Sequence, residues 1–217
     1  MATFYTDPAM VPLASARALL IVDADEVLLR FADGFDKFLA ARGCYLDLVS
    51  YRLHGNVRRR DDNSALLDIE VTVLVDEFRA DLDWLEPVAG ARETIAALTP
   101  LLDIVVLSNV TASQATPRLR NLAAHGLARP LLINSGPKGP AVEALARRSG
   151  RPVFFVDDIP QHLASVADAS PDIFRIHLIG DERLNPLQPL SPHAHLRADN
   201  WEQAGAFIRT QLAQGNE

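Results

Sequence analysis

The chain has 217 residues, of which 48% are hydrophobic and 23% are charged, and these values are typical of a folded globular protein rather than a disordered or fibrous one. Its 21 basic and 28 acidic residues give a net charge of −7, which disfavours nucleic acid as a partner because phosphate backbones are bound by basic surfaces. The one cysteine, Cys44, excludes an intramolecular disulfide and a multi-cysteine zinc site.

Membrane insertion and secretion are also disfavoured by the sequence. No apolar run reaches the roughly 18 residues that a membrane-spanning helix needs. Near the N-terminus, Asp7 and two prolines precede the apolar stretch and Arg17 interrupts it, which is a poor match to a secretory signal. We therefore expect a cytoplasmic enzyme or binding protein without a membrane partner.

Five short apolar runs predict the strands of a parallel sheet that is buried on both faces. They are Ala18–Val22, Ile104–Leu107, Leu131–Ile133, Val153–Val156 and Ile173–Ile179. Helical patterns lie between them at Ala91–Leu98, at Ala115–Ala124 with Pro117 expected in the first turn, and at Lys138–Arg148. This alternation predicts an α/β fold with a Rossmann-like parallel sheet and helices on both faces, in which ligands bind at the carboxyl ends of the strands.

One interval of the chain, residues 33–85, is too long for a single crossover between strands. Asp33 is placed to cap a first helix, and apolar residues spaced by three and four predict a longer helix from about 63 to 82. Alternation over residues 51–57 is consistent with a short strand or hairpin between these helices. We predict a small, mainly helical cap inserted above the strand ends. The predicted core is then residues 1–32 and 86–217, and the predicted cap is residues 33–85.

Acidic pairs follow two of the predicted strands. Asp23 and Asp25 come directly after the first apolar run, and Asp157 and Asp158 come after the fourth. Such pairs could hold a divalent cation, since hard cations prefer oxygen ligands, or could supply a nucleophile and a proton carrier. The alternative interpretation is a solvated turn at each position, but two acidic pairs at two strand ends favour a site.

Polar residues also follow the second and the third of the predicted strands. Ser108 and Asn109 end the second run, and their hydroxyl and amide groups could bind an oxyanion. Lys138 follows the third run at a predicted helix start, where it could neutralise negative charge. Taken singly, the serine could be a helix cap and the lysine a solvated charge. Polar groups after four successive strands indicate one shared site.

Four segments, in this order along the chain, resemble the four motifs of the haloacid dehalogenase-like hydrolase superfamily. They are ALLIVDADEVLL, IVVLSN, SGPKGPAV and FFVDDIPQHL, and the resemblance extends over about Leu19 to Gly180. The resemblance implies that Asp23 is a nucleophile that forms an aspartyl-phosphate, and that Asp25 is the general acid and base. It also implies a Mg²⁺ ion held by the Asp23 carboxylate, the Asp25 backbone carbonyl and Asp158, with Asp157 as a neighbouring metal-site residue.

The same resemblance implies that Ser108, Asn109 and Lys138 hold the phosphoryl oxygens, with Ser108 and Lys138 acting in catalysis. Because phosphatases of this superfamily carry an acid at the position of Asp25, the implied function is Mg²⁺-dependent hydrolysis of a small phosphorylated metabolite. A 2-haloacid dehalogenase, a phosphomutase and a catalytically weak binding or regulatory relative are the alternatives. The sequence leaves the oligomeric state open.

Some residues depart from the superfamily pattern or lie in the cap. Glu26 stands where the superfamily often has glycine, and His162 stands where an acid or asparagine commonly supports the metal and the lysine. In the predicted cap, His54, Arg58 and Arg59 are candidates for contacting an anionic group of the substrate. The alternative for the arginines is a solvated basic run that the following acids offset.

Overall fold

The structure is a computed structural model that describes residues 3–14 and 16–214. Its strands are β1 (Phe4–Tyr5), β2 (Leu19–Val22), β3 (Cys44–Leu46), β4 (Val57–Arg59), β5 (Asp103–Ser108), β6 (Leu131–Ile133), β7 (Val153–Asp157), β8 (Phe174–Leu178) and β9 (Leu196–Ala198). Seven of them form a parallel sheet in the order β1-β6-β5-β2-β7-β8-β9. The remaining two, β3 and β4, pair as a separate antiparallel hairpin.

Within the described ranges, three α-helices lie between β2 and β5, and four more follow β5, β6, β7 and β9. They are α1 (Phe31–Ala40), α2 (Asp68–Ala80), α3 (Ala91–Leu98), α4 (Ala112–Ala124), α5 (Gly139–Ala146), α6 (Pro160–Ala169) and α7 (Trp201–Gln214). Among the described residues, none of these helices is long and apolar enough to cross a bilayer.

The sheet separates two hydrophobic cores, because successive residues of a strand point to opposite faces. Along β2, Leu20 and Val22 pack into one core and Leu19 and Ile21 pack into the other. Helices α3, α4 and α7 supply apolar side chains to the first core, and α5 and α6 supply them to the second. The predicted α/β fold with a parallel sheet buried on both faces is therefore confirmed.

Each of the five apolar runs overlaps a strand of the sheet, and α3 has the bounds that the sequence predicts. The prediction for Pro117 is wrong, because α4 begins earlier, at Ala112, and the proline falls in its second turn. A capping box causes the early start: the Gln114 side chain accepts the Thr111 backbone N–H at 3.0 Å. Pro117 has no N–H to donate, so the Ser113 carbonyl lacks its helical partner.

The segment between β2 and β5 contains α1, the β3–β4 hairpin and α2. The prediction that Asp33 caps α1 is wrong, because the helix begins at Phe31 and Asp33 lies in its first turn, 3.0 Å from Lys37 Nζ. The Ala32 N–H is bound instead by the Glu26 carboxylate at 2.5 Å. The segment thus has two helices and a hairpin, and the exact bounds of a cap at 33 and 85 stay a prediction.

Candidate active site

The structure brings the residues of all four motifs to one edge of the sheet. Asp23 follows β2, Ser108 ends β5, Asp157 ends β7, and Lys138 precedes α5 after β6. These four side chains are buried, and Asp158 beside them is buried as well. Their convergence follows from the topology, because β5, β2 and β7 are adjacent parallel strands whose carboxyl ends meet at this edge.

Lys138 bridges two of the buried carboxylates. Its Nζ donates a hydrogen bond to Asp23 Oδ1 and another to Asp157 Oδ2, the second at 2.7 Å. The other oxygen of Asp157 accepts the Ile159 backbone N–H at 2.8 Å. Both oxygens of Asp157 therefore have protein partners, and this carboxylate is placed to orient the lysine.

Asp158 is held from two sides. The Tyr51 hydroxyl, which belongs to the loop between β3 and β4, donates to Asp158 Oδ2 at 2.5 Å. On the other side, His177 Nε2 lies 2.9 Å from the backbone carbonyl oxygen of Asp158. Because a carbonyl oxygen can only accept a hydrogen bond, this imidazole nitrogen carries the proton. Among the described residues, the second carboxylate oxygen of Asp158 has no hydrogen-bond partner, and it is the one available for a cation.

The buried cluster has more negative than positive charge. Burial raises the pKa of Asp23 to about 6, and burial together with Asp157 and Asp23 raises the pKa of Asp158 well above its usual value. Burial alone would lower the pKa of Lys138, but Asp157 and Asp23 raise it overall, so the ammonium stays charged. Three carboxylates thus face one ammonium, and a cation would stabilise their ionised forms.

The donor atoms present suit Mg²⁺. The Asp23 and Asp158 carboxylates and the Asp25 backbone carbonyl are hard oxygen donors, and the excess of buried negative charge calls for a cation. Within residues 3–14 and 16–214, no three side chains of His, Cys, Asp or Glu are arranged to hold a metal ion by themselves. Two carboxylates with one carbonyl are consistent with Mg²⁺, which usually keeps several water ligands.

Asp25 forms an ion pair that the sequence analysis missed. Its Oδ1 lies 2.6 Å from Nη2 of Arg118, a residue of α4 whose side chain is 0% exposed, whereas the Asp25 side chain is 25% exposed. Arg118 occupies the buried face of α4 together with Ala115 and Leu122. This spacing of three and four was visible in the sequence, and a charged residue on an apolar helix face could have indicated a buried partner.

Ser108 and Asn109 occupy the predicted phosphate-binding position. The Ser108 hydroxyl has no hydrogen bond to the part of the chain that the structure describes. Asn109 is fixed by its neighbours, since its Nδ2 donates to the Gly136 carbonyl at 3.0 Å and its Oδ1 accepts from Asn134 at 2.8 Å. Ser108 is therefore free to bind a ligand, while the Asn109 side chain shapes the loop.

The two departures from the superfamily pattern have structural explanations. Glu26 has φ of 56°, in the left-handed region that glycine adopts without strain, and its buried carboxylate binds the start of α1. Burial raises the pKa of Glu26 to about 8. His162 lies with its Nε2 3.4 Å from Asn109 Nδ2, and burial, followed by Lys138, lowers its pKa to about 4.

A cavity of about 150 Å³ opens above Asp25 and Asp158, between the strand ends and the β3–β4 region. Its lining residues are Asp25, Glu26, Phe31, Ala32, Leu46, Leu48, Ser50, Tyr51, Arg52, Leu53, Arg79, Asp158 and Leu184. Of the acidic residues that follow the strands, Asp25 and Asp158 line this cavity.

His54, Arg58 and Arg59, which the sequence predicts to contact substrate, do not line this cavity, and their contact with substrate stays a prediction. Arg58 Nε donates to Asp47 at 2.7 Å, Arg59 Nη2 donates to Glu70 at 2.6 Å, and His54 Nε2 lies 3.0 Å from the Thr72 hydroxyl. Acids and hydroxyls of the cap itself satisfy these groups. The arginines that do line the cavity are Arg52 and Arg79, which no pattern in the sequence distinguishes from their neighbours.

No family model and no curated protein matches this sequence. Solved structures do match its fold over most of the chain. A haloacid dehalogenase-like hydrolase from Xanthomonas campestris is 15% identical over 95% of this chain and 98% of its own, with a TM-score of 0.57. A hydrolase of the same type from Bacillus subtilis, described as bound to magnesium, is 14% identical over 90% and 99% of the two chains, with a TM-score of 0.56.

A defluorinating L-2-haloacid dehalogenase is similar to the same extent, at 15% identity over 89% of this chain and 95% of its own, with a TM-score of 0.58. At such identities the likeness establishes a shared fold. The chain therefore has the fold of the haloacid dehalogenase-like hydrolases, as its four motifs predict. Solved structures with this fold are named as a dehalogenase and as a putative beta-phosphoglucomutase, so the reaction has to be argued from the site residues.

Proposed function

We propose that this protein is a Mg²⁺-dependent phosphomonoester hydrolase that acts on a small phosphorylated metabolite through Asp23. The observation that carries the proposal is the position of Asp25, which lies two residues after Asp23 and lines the cavity above it. Loss of an alcohol from a phosphate ester needs a proton donor, whereas loss of a halide does not. An acid at this point therefore favours phosphatase over dehalogenase chemistry.

The proposed reaction has two steps. An Asp23 carboxylate oxygen attacks phosphorus, the bond from phosphorus to the ester oxygen breaks, and Asp25 donates a proton to the departing alcohol. In the second step Asp25 takes a proton from water as the water oxygen attacks the aspartyl-phosphate, which releases inorganic phosphate and restores the Asp23 carboxylate. Asp25 serves first as an acid and then as a base, so it regains from water the proton that it gave to the alcohol.

The remaining residues bind and orient the phosphoryl group. Lys138 and the unpartnered Ser108 hydroxyl are placed to donate hydrogen bonds to its oxygens, and Asp157 keeps the ammonium directed at Asp23. When bound, Mg²⁺ supplies positive charge to the phosphoryl oxygens and the nucleophile, and Asp23, Asp158 and the Asp25 carbonyl would hold it. Phosphoryl transfer depends mainly on this positioning and charge compensation.

The test measures phosphate release from p-nitrophenyl phosphate, with Mg²⁺ and with EDTA, beside halide release from a 2-haloacid. We expect Mg²⁺-dependent phosphate release and no halide release. Halide release that persists in EDTA would overturn the proposal in favour of a dehalogenase. A subsequent panel of phosphorylated metabolites would identify the substrate class.

A further inference from the structure

The walls of the cavity above Asp25 are largely apolar. Phe31, Leu46, Leu48, Leu53 and Leu184 line it, and their side chains offer no hydrogen bonds. A substrate with several hydroxyl groups would lose hydrogen bonds to water here without replacing them, which is unfavourable.

The two wall residues with hydroxyl groups are already engaged. The Tyr51 hydroxyl donates to Asp158 at 2.5 Å, and the Ser50 hydroxyl accepts from Asn56 Nδ2 at 3.1 Å. These two hydroxyl groups are therefore already used within the protein, and the other uncharged wall residues are apolar. The body of the ligand is expected to be compact and apolar.

Arg52 and Arg79 add positive charge to a cavity that Asp25, Glu26 and Asp158 also line. Within the described residues neither arginine side chain forms an ion pair or a hydrogen bond, and Nε of Arg79 is fully buried without a partner. The other cap arginines differ, since Arg58 pairs with Asp47 and Arg59 pairs with Glu70. Nε is closed off from the cavity as well, so a ligand acceptor would meet the terminal Nη nitrogens of Arg79, which are not fully buried.

Charges of both signs line the cavity and can orient such a ligand. Asp158 lies at the sheet edge, where the phosphoryl group and a cation belong, and it would repel a second anionic group. Arg79, whose guanidinium lies 5.6 Å from the Phe31 ring centroid, would attract it. Guanidinium and carboxylate are both planar and can pair through two hydrogen bonds.

We infer that the substrate is the phosphate ester of a compact, mainly apolar hydroxy acid whose carboxylate binds Arg79, with exposed Arg52 beside it. This inference rests on the proposed phosphatase function and specifies its substrate class. The cavity volume of about 150 Å³ is small for a ligand site, which agrees with a compact ligand body.

The test compares three esters that share a primary alcohol as leaving group: pentyl phosphate, 5-phosphooxypentanoate and glucose 6-phosphate. We expect kcat/KM to be highest for the carboxylated ester and lowest for the sugar ester. Replacing Arg79→Met should lower kcat/KM for 5-phosphooxypentanoate by about 30-fold, as expected for loss of a hydrogen bond to a charged group, and change pentyl phosphate by less than about threefold. Arg58→Met, on the same cap but outside the cavity, is the matched control and should preserve the preference.

The outcomes separate this inference from the proposed function. If the wild-type protein does not release phosphate from p-nitrophenyl phosphate, the proposed function fails. If it does, but hydrolyses the carboxylated ester no better than pentyl phosphate, or prefers the sugar ester, only the inference is overturned. Binding of pentylphosphonate and 5-phosphonopentanoate to the Mg²⁺-loaded wild-type protein, measured by calorimetry, repeats the comparison without any variant; equal affinities would also overturn the inference.

Discussion

The Arg118 guanidinium is buried completely beneath Asp25, with Nη2 2.6 Å from Oδ1 of a carboxylate that still reaches the cavity. Apart from this contact, none of the Arg118 side-chain nitrogens has a hydrogen-bond partner among the described residues. The pair therefore connects the packing of α4 to the proton carrier of the proposed reaction. It fixes the Asp25 side chain in position while leaving its second oxygen toward the ligand.

Removal of the Asp25 carboxylate should destabilise the fold as well as abolish activity. Asp25→Ala leaves the Arg118 cation buried without a counterion, so we expect a loss of about 2–3 kcal/mol in the free energy of unfolding. The double variant Asp25→Ala with Arg118→Met should recover most of that loss without recovering activity. Urea unfolding of the four proteins forms the cycle, and equal stability of Asp25→Ala and wild type would contradict this role of the pair.

Asp23→Asn tests the nucleophile. The amide keeps an oxygen that accepts from Lys138, but it cannot form the aspartyl-phosphate, so turnover should be abolished in a folded protein. Because burial raises the pKa of Asp23 to about 6, removing the carboxylate should leave the stability at pH 7.5 without metal unchanged or higher. Phosphate release above a few per cent of wild type, in a preparation free of wild-type protein, would refute the assignment.

Asp157 and Asp158 should differ in their effects on metal binding. Asp158 has an unpartnered oxygen, whereas both oxygens of Asp157 are bound by Lys138 and the Ile159 N–H. Asp158→Ala should raise the Kd for Mg²⁺ by about a hundredfold, and Asp157→Ala by about tenfold or less while kcat still falls. Calorimetric titration with Mg²⁺ measures both, and an equal loss of affinity would show that our choice of ligand is wrong.

Lys138→Met tests the charge balance of the site. The lysine is the cation that the motifs place among Asp23, Asp157 and Asp158, so we expect kcat/KM to fall at least about a hundredfold, or some 2.7 kcal/mol. Two buried carboxylates would also lose their partner, so the free energy of unfolding should fall by about 3 kcal/mol and recover in part with Mg²⁺. Lys138→Arg should restore little activity, because a planar guanidinium does not replace a compact ammonium. Near wild-type turnover in Lys138→Met would place the charge compensation elsewhere.

The residues that sequence reasoning could predict are those whose position follows from the strand order. Asp23, Ser108 and Asp157 end buried apolar runs, and parallel strands bring such ends together whatever the details of packing. The Tyr51 contact to Asp158 joins residues 107 positions apart, and it depends on how the cap packs on the sheet.

The two edge strands and the cap arginines are harder to predict from the sequence. Strand β1 has two residues and β9 has Arg197 at its centre, so neither shows as an apolar run. The positive charges of Arg58 and Arg59 are visible in the sequence. The acids that pair with them, Asp47 and Glu70, lie outside β4, so these ion pairs could not be predicted. Arg79, which lines the cavity, could not be told from them by sequence alone.

His162 gives the fold a specific sensitivity to acid. Burial, and then Lys138, lower its pKa from 6.5 to about 4, so the folded protein takes up this proton less readily than the unfolded chain. The stability that comes from the neutral imidazole is present above pH 6.5 and is lost as the pH falls toward 4. Because the side chain is partly exposed, we expect wild type to lose about 2 kcal/mol more than His162→Gln between pH 7 and pH 4.5. Urea unfolding in EDTA at each pH measures the difference, in which the shifts of the buried carboxylates cancel. His193→Gln, at an exposed histidine, is the control and should follow wild type, and an identical acid dependence of wild type and His162→Gln would disprove the role of His162.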